Sequence, residues 1–237
     1  MKMKITYIYH SGFLVETKEC YYLFDYYKGS LPSLDANKQI LVFASHSHRD
    51  HYNKEVFSLL KNMGMKHVTA MLAKDISPKL YPDDVAIQKV TFHETYELPC
   101  NTILRTLHST DAGVAFLVQC PEGNIYHAGD LNDWVWEGES EQYNKQMTGN
   151  YRHEIDLLNA YLQEDDINNM LEVAFLPLDP RQEQDYAKGM LYFLKKINVR
   201  HIYPMHYWNK PQVINQFLRE YPEYSDIIMQ TENANFV

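Results

Sequence analysis

The sequence predicts an α/β protein with β-rich halves and helices on the outside. Three observations carry that expectation. Short β-rich runs at 3–9, 12–17 and 20–25 open the chain, with turns at Ser11-Gly12 and Lys18-Glu19. The run "QILVFA" (39–44) is continuously apolar, as a strand buried on both faces would be. "NKEVFSLLKNM" (53–63) then places Val56, Leu59, Leu60 and Met63 at helical spacing.

Asn53 is the expected N-cap of that helix. "HVTAML" (67–72) reads as the next strand. Four more follow at 85–92, 101–107, 113–119 and 124–128, punctuated by Pro99, Gly113 and Pro121-Glu122-Gly123. Residues 131–149 are polar, aromatic and weakly periodic. A helix is expected over 151–163, a strand over 172–178, a helix over 182–196, a strand over 199–204 and a helix over 211–220. A last strand is expected near 226–230. With no repeat, low-complexity tract or linker, residues 1–237 read as one domain.

At 45 % hydrophobic and 14 % aromatic, the 237 residues can bury a sizeable core. No run of eighteen apolar residues exists, so no membrane span is expected. The N-terminal "MKMKITYIYH" alternates as a strand does and lacks the cleavage pattern of a signal peptide. Three scattered cysteines, Cys20, Cys100 and Cys120, form neither a disulfide framework nor a thiolate metal site, and a reducing cytoplasm is the expected setting. A net charge of −9, from 22 basic and 31 acidic residues, argues against long nucleic acid as a partner.

The stretch "FASHSHRDHYN" (43–53) holds His46, His48, Asp50 and His51 in the pattern H-x-H-x-D-H. Residues two apart in an extended segment point the same way, so His46 and His48 can grip one ion. If the chain then turns into the helix near Asn53, Asp50 and His51 can face a second. The preceding apolar strand would deliver them to the carboxyl edge of a sheet, where α/β folds keep their sites. A solvated polar turn is the bland alternative.

"SHSHRDH" resembles the signature of the metallo-β-lactamase-fold hydrolase superfamily. The resemblance implies three further ligands, each just after a strand, and spans residues 5–206. His108 follows "NTILRTL", Asp130 closes "NIYHAGD" and His206 closes "RHIYPMH". It implies an αββα sandwich of two mixed sheets face to face with helices on the outer faces. His46, His48 and His108 would then hold a first metal, Asp50, His51 and His206 a second, and Asp130 would bridge them. Imidazole and carboxylate donors suit Zn2+, and also Mn2+ or iron.

The opening "ITYIYHSGFLVETKECYYLFD" is similar to the first hairpin of the branch containing the ascorbate-6-phosphate lactonase-like proteins. That resemblance implies that Asp25 orients a ligand imidazole. Tyr26 stands where the branch usually has proline, so the following loop can run differently. His10 is either near the metals or a hydrogen-bonded structural histidine. Asp111 in "STDAG" could orient a ligand or cap a turn. Tyr207 and Trp208 either line the pocket or pack under the last helix. His67, His93, His127, His153 and His201 match no ligand position.

Residues 131–155 directly follow the expected bridging ligand. Trp134, Trp136, Tyr143 and Tyr151 there could wall a pocket, with Lys145, Arg152 and His153 as cations for an anionic substrate. Equally, the tryptophans could pack on the core or a second subunit. The expected activity is hydrolysis of a small ester, lactone or phosphoester by a hydroxide shared between two metals, with Asp50 or a metal-held water returning a proton to the leaving group. The rivals are a non-haem iron oxidoreductase on the same fold and a non-catalytic metal-binding protein. The expected partner is a small molecule; neither long nucleic acid nor membrane is expected, and self-association is compatible with the sequence.

Overall fold

A computed structural model describes residues 3–164 and 169–231. Among them, twelve strands form two six-stranded sheets, one built by each half of the chain. The first sheet runs in the spatial order β1 (Lys4–Tyr9), β2 (Gly12–Glu16), β3 (Cys20–Phe24), β4 (Gln39–Ala44), β5 (His67–Ala73), β6 (Ala86–Val90). The second runs β12 (Val199–Met205), β11 (Leu171–Pro177), β10 (Gly123–His127), β9 (Val114–Cys120), β8 (Thr102–His108), β7 (Thr95–Leu98). Both sheets are mixed. The hairpin strands β1 to β3 pair antiparallel, and β3 to β6 pair parallel. Strands β7 to β10 pair antiparallel, and β10 to β12 parallel.

The two sheets meet through a layer of aromatic rings. Phe13, Phe24 and Phe43 of the first sheet face Phe116, Phe175 and Tyr203 of the second. Ring centroids are 4.3 Å apart for Phe13–Phe175, 5.3 Å for Phe43–Phe116 and 6.1 Å for Phe13–Tyr203. All six side chains are fully buried. Tilted ring pairs at these separations add to the burial of apolar area. The strand sequences "CYYLF", "QILVFA" and "VAFLVQC" lack clean alternation because their outer faces are also covered.

Helix α1 (Glu55–Asn62) buries Val56, Phe57 and Leu60. The N-cap is Lys54, one residue past the expected Asn53, whose Oδ1 still accepts from the Glu55 amide at 3.0 Å. Helix α2 (Glu141–Gln163) packs on α3 (Lys188–Lys196) and on β8. Helix α4 (Gln212–Glu220) buries Val213, Ile214 and Phe217. No helix among the described residues is long and apolar enough to cross a membrane.

Four elements differ from the sequence reading. Helix α2 starts at Glu141 rather than 151, capped by Ser140 Oγ, which accepts from the Tyr143 amide at 3.2 Å. Its first turns are too exposed to show an apolar period. Strand β7 has four residues on a sheet edge, too short for an alternation signal. The stretch 182–196 is broken by Glu183 at φ 51°, which leaves a 3-10 turn (Pro180–Asp185) ahead of α3. Near 226–230 only a bridge, Ile202 to Ile228, forms.

Two glycines let loops from the second sheet press against the end of β4. At Gly113, φ is +69° and a Cβ would lie 1.9 Å from the Ser45 carbonyl oxygen. At Gly129, φ is +52° and a Cβ would lie 2.8 Å from that of Ser45. The adjacent Val114 amide donates to the Ser45 carbonyl at 2.9 Å. Gly113→Ala therefore combines backbone strain with a main-chain clash, and is expected to cost about 2–4 kcal/mol. A chemical denaturation curve checks this; a wild-type midpoint would show that the close approach is absent.

Candidate metal centre

Strands β1, β3, β4, β8, β10, β11 and β12 all run toward one edge of the sandwich, and the titratable cluster lies just beyond their ends. His10 follows β1, Asp25 follows β3, and the segment 45–51 follows β4. The loop 109–113 follows β8, Asp130 lies three residues past β10, Asp179 two past β11, and His206 one past β12. Several of these residues leave their strands in the left-handed region: His10 at φ 56°, Asp25 at 40° and His206 at 61°. Such strain on non-glycine residues collects where a site must be held in place.

Asp130 sits at the centre. Its Oδ1 is 3.1 Å from His51 Nε2 and 3.4 Å from His206 Nε2; its Oδ2 is 3.5 Å from His46 Nε2. Two sets of potential ligand atoms gather around it, each set within 4.8 Å: His46, His48 and Asp130, and His10, Asp50, His51 and His206. His10 Nε2 lies 3.4 Å from Asp50 Oδ2. His10, His46, His51, Asp130 and His206 are buried, whereas His48 and Asp50 reach solvent.

Two carboxylates stand behind the imidazoles. Asp25 Oδ2 lies 2.7 Å from His51 Nδ1, and Asp25 also accepts from the Ser45 amide and hydroxyl at 2.7 Å each. Asp179 Oδ2 lies 3.0 Å from His206 Nδ1. Asp179 is gripped in turn by Arg181, through Nε at 2.9 Å and Nη2 at 2.5 Å, and by Trp208 Nε1 at 3.1 Å. Each carboxylate fixes one ring nitrogen and so turns the other, Nε2, toward Asp130.

Burial and neighbours set the charges. Burial, with His51 alongside, pushes His46 down to about 4, so its imidazole is neutral at pH 7. Burial opposes charge on His51 as well, but the carboxylates of Asp130 and Asp25 outweigh it and hold His51 well above the usual histidine range. For Asp130, burial is outweighed by His51 and His206, which keep it well below the usual carboxylate range. Asp50 is likewise held low despite burial, chiefly through His10. Asp179 falls to about 2, as the hydrogen bonds from His206 and Arg181 overcome burial.

Of the residues expected from sequence, His46, His48, Asp50, His51, Asp130 and His206 come together at this edge, with Asp25 behind them. His108 does not join them. It is exposed, its ring lies 4.1 Å from that of Phe92, and its amide donates to Glu154 at 2.9 Å. The physical reason is the loop after β8. Gly113 lets that loop fold down on Ser45, so Asp111, three residues past His108, reaches the site instead. Asp111 Oδ2 lies 3.9 Å from His48 Nδ1, and burial beside Asp130 raises its pKa. His10 is at the cluster.

A pocket of about 260 Å3 opens on the cluster. One side carries His48, Asp50, Asp111, Asp130 and His206; the other carries Trp134, Trp136, Tyr143, Met147, Trp208 and Arg181. A larger groove of about 450 Å3 beside α1 is lined by none of these residues, and chemistry rather than size marks the site. Of the two readings left open for Lys145, Arg152 and His153, the structure places them away from the pocket lining. Lys145 pairs with Glu141, Arg152 lies over the Tyr192 ring, and His153 is exposed. The helix explains this: Tyr143 and Met147 face the pocket, one turn apart, and Lys145, Arg152 and His153 do not share that face. Tyr151 is buried and donates to the Gly189 carbonyl at 2.8 Å. Tyr207 is buried, its hydroxyl 2.6 Å from Thr231 Oγ1. His127 is fully buried and stacks on Phe24; His93 lies 3.0 Å from Glu154.

Sequence reasoning missed Asp179 and Arg181. Their signal was "LPLDPR", an acid and a base directly after an apolar strand that ends at the ligand-bearing edge.

The donors fit a metal. His46 Nε2, His51 Nε2, His10 Nε2 and Asp130 Oδ1 are buried, lack a hydrogen-bond partner among the described residues, and converge on one place. Buried polar atoms left this way cost free energy unless something satisfies them. Imidazole nitrogens and carboxylate oxygens without thiolate are a divalent-metal set.

The fold has known counterparts. The metallo hydrolase Igni18 from Ignicoccus hospitalis KIN4/I superposes with a TM-score of 0.67 at 17 % identity, over 97 % of this chain and 94 % of that one. CmlA, a diiron β-hydroxylase from Streptomyces venezuelae, superposes with a TM-score of 0.60 at 9 % identity, over 96 % of this chain but 52 % of CmlA. Zn2+-bound PqqB from Methylobacterium extorquens gives 0.52 at 11 % identity, over 95 % of this chain and 84 % of PqqB. No curated protein sequence matches. The family profile described as "Beta-lactamase superfamily domain" matches residues 4–146. Because that match covers more than half its length, the chain belongs to the metallo-β-lactamase superfamily.

Proposed function

We propose that the protein is a hydrolase of a small ester, lactone or phosphoester that works with two divalent ions, Zn2+ fitting the donors well. The observation that carries this is the pair of ligand groups on either side of Asp130. His46, His48 and Asp111 would hold one ion, His51, His206, Asp50 and His10 the other, and Asp130 would touch both. Bound there, the ions would polarise the scissile bond and lower the pKa of a water shared between them. Asp50 reaches both the second group and the pocket. Its carboxylate would pass a proton to the leaving group. A pocket of about 260 Å3 admits a small molecule or one end of a larger one. Lactones belong to this class through the first hairpin's similarity to the ascorbate-6-phosphate lactonase-like branch.

One observation favours a second reading, oxidation at a non-haem diiron centre. With Asp111 in place of His108, the first group has two imidazoles and two carboxylates, and oxygen donors suit iron and manganese as well as zinc. Metal analysis and electron paramagnetic resonance on protein purified without added metal decide between them. Two irons with oxidase activity and no hydrolysis would overturn the hydrolase.

Metal analysis also tests the ligands. Asp130→Asn and His51→Ala are expected to lose bound zinc, whereas His108→Ala keeps the wild-type content. Loss of metal in His108→Ala would sink the placement of Asp111. Asp179→Asn, which leaves every ligand in place but weakens the orientation of His206, is expected to lower zinc affinity by about 10- to 100-fold in a competition titration.

Zinc uptake should release protons. Without an ion, the Asp130 and Asp25 carboxylates outweigh burial and hold His51 above its ordinary value, while His46 is already neutral. A ligand imidazole must be neutral, so affinity rises with pH until His51 titrates. Calorimetry in buffers of different ionisation enthalpy is expected to show net proton release at pH 7. Uptake with no buffer dependence would contradict the charge assigned to His51.

A further inference from the structure

We propose that Arg181, held between Trp136 and Trp208 at the pocket mouth, binds an anionic group of the substrate, so that the substrate is a small flat molecule carrying a carboxylate or phosphate. This deepens the hydrolase reading and rests on it.

Four observations carry it. Arg181 is the one Lys or Arg among the described residues lining this pocket. Its guanidinium carbon lies 4.5 Å from the Trp208 ring centroid and 5.7 Å from that of Trp136. The Asp179 carboxylate takes Nε and Nη2 and fixes the guanidinium plane. A guanidinium has five N–H groups, so an edge carrying Nη1 remains for a planar anion, and the side chain is 45 % exposed.

The aromatic groups around it look recruited for contact rather than packing. Trp134 is buried, donates to the Asp130 carbonyl at 2.8 Å and stacks on Trp136 with 5° between planes, so it fixes Trp136. Tyr143 and Trp208 are each 39 % exposed. Large exposed aromatics gathered at a concave site mark ligand contact. The pocket carboxylates Asp50, Asp111 and Asp130 would repel an anion alone. Two divalent ions bound there would offset these carboxylates, and Arg181 then adds a positive charge.

The chain has three tryptophans, Trp134, Trp136 and Trp208, and all line this pocket. Intrinsic fluorescence therefore reports binding there. The experiment titrates zinc-loaded protein with benzoate, phenylphosphonate and neutral benzamide, with zinc content measured on each sample. Wild type is expected to bind benzoate, phenylphosphonate or both more tightly than benzamide, and the stronger of the two anions names the group. Arg181→Met is expected to weaken the anions by about tenfold or more without changing benzamide. Arg181→Lys is expected to recover part of the loss, since an ammonium is a point charge without the fork.

Arg181→Met with wild-type anion affinity and full zinc content overturns the proposal while leaving the hydrolase reading intact. Wild-type protein that takes up no metal overturns the hydrolase reading instead, and with it the basis of this one. If Arg181→Met loses zinc, Trp136→Leu becomes the deciding variant, because it leaves Asp179 and Arg181 in place. Weakened benzoate binding in Trp136→Leu supports the proposal, and unchanged binding overturns it.

Discussion

One carboxylate, Asp130, meets three imidazoles at an edge that water barely reaches. Its oxygens lie 3.1–3.5 Å from His46, His51 and His206, and all four side chains are almost completely buried. So much ionisable surface cannot be gathered in a protein interior without compensation. The surrounding structure supplies part of it: Asp25 behind His51, and Asp179 behind His206. A divalent ion on each side of Asp130 would supply the rest.

This constraint explains features that otherwise look unrelated. Non-glycine residues in the left-handed region stand at the ends of β1, β3 and β12, because His10, Asp25 and His206 must turn out of their strands toward one point. Gly113 and Gly129 lie against Ser45 because loops from the second sheet must close over the end of β4 to bring Asp111 and Asp130 within reach of His46 and His48. The interlocking aromatic rings between the sheets hold these ends in register. A catalytic constellation tolerates displacements of only about 0.5 Å, and close-packed rings transmit position better than loops do.

Arg181 joins the metal edge to the aromatic wall. It grips the carboxylate that orients His206 and stacks near the indole of Trp208, which bonds to that same carboxylate. An anion seated on this guanidinium would therefore be linked to a ligand imidazole through a single carboxylate. Arg181, Asp179, His206 and Trp208 form one hydrogen-bonded unit.

The sequence by itself determined the class of fold and the residue types gathered at its edge. "SHSHRDH" after a doubly buried strand located His46, His48, Asp50 and His51 by local pattern, and the superfamily resemblance pointed to Asp130 and His206 at the ends of later strands. Asp25 was legible for the same reason. Only the tertiary structure decided between His108 and Asp111, since the direction of that loop depends on Gly113 meeting Ser45 some seventy residues earlier in the chain. Only it decided that Arg181, and not Lys145 or Arg152, lines the pocket, because helical phase decides which side chains of α2 face inward. Which residues can bind a metal is written in their side chains; which ones meet is decided by packing between distant parts of the chain.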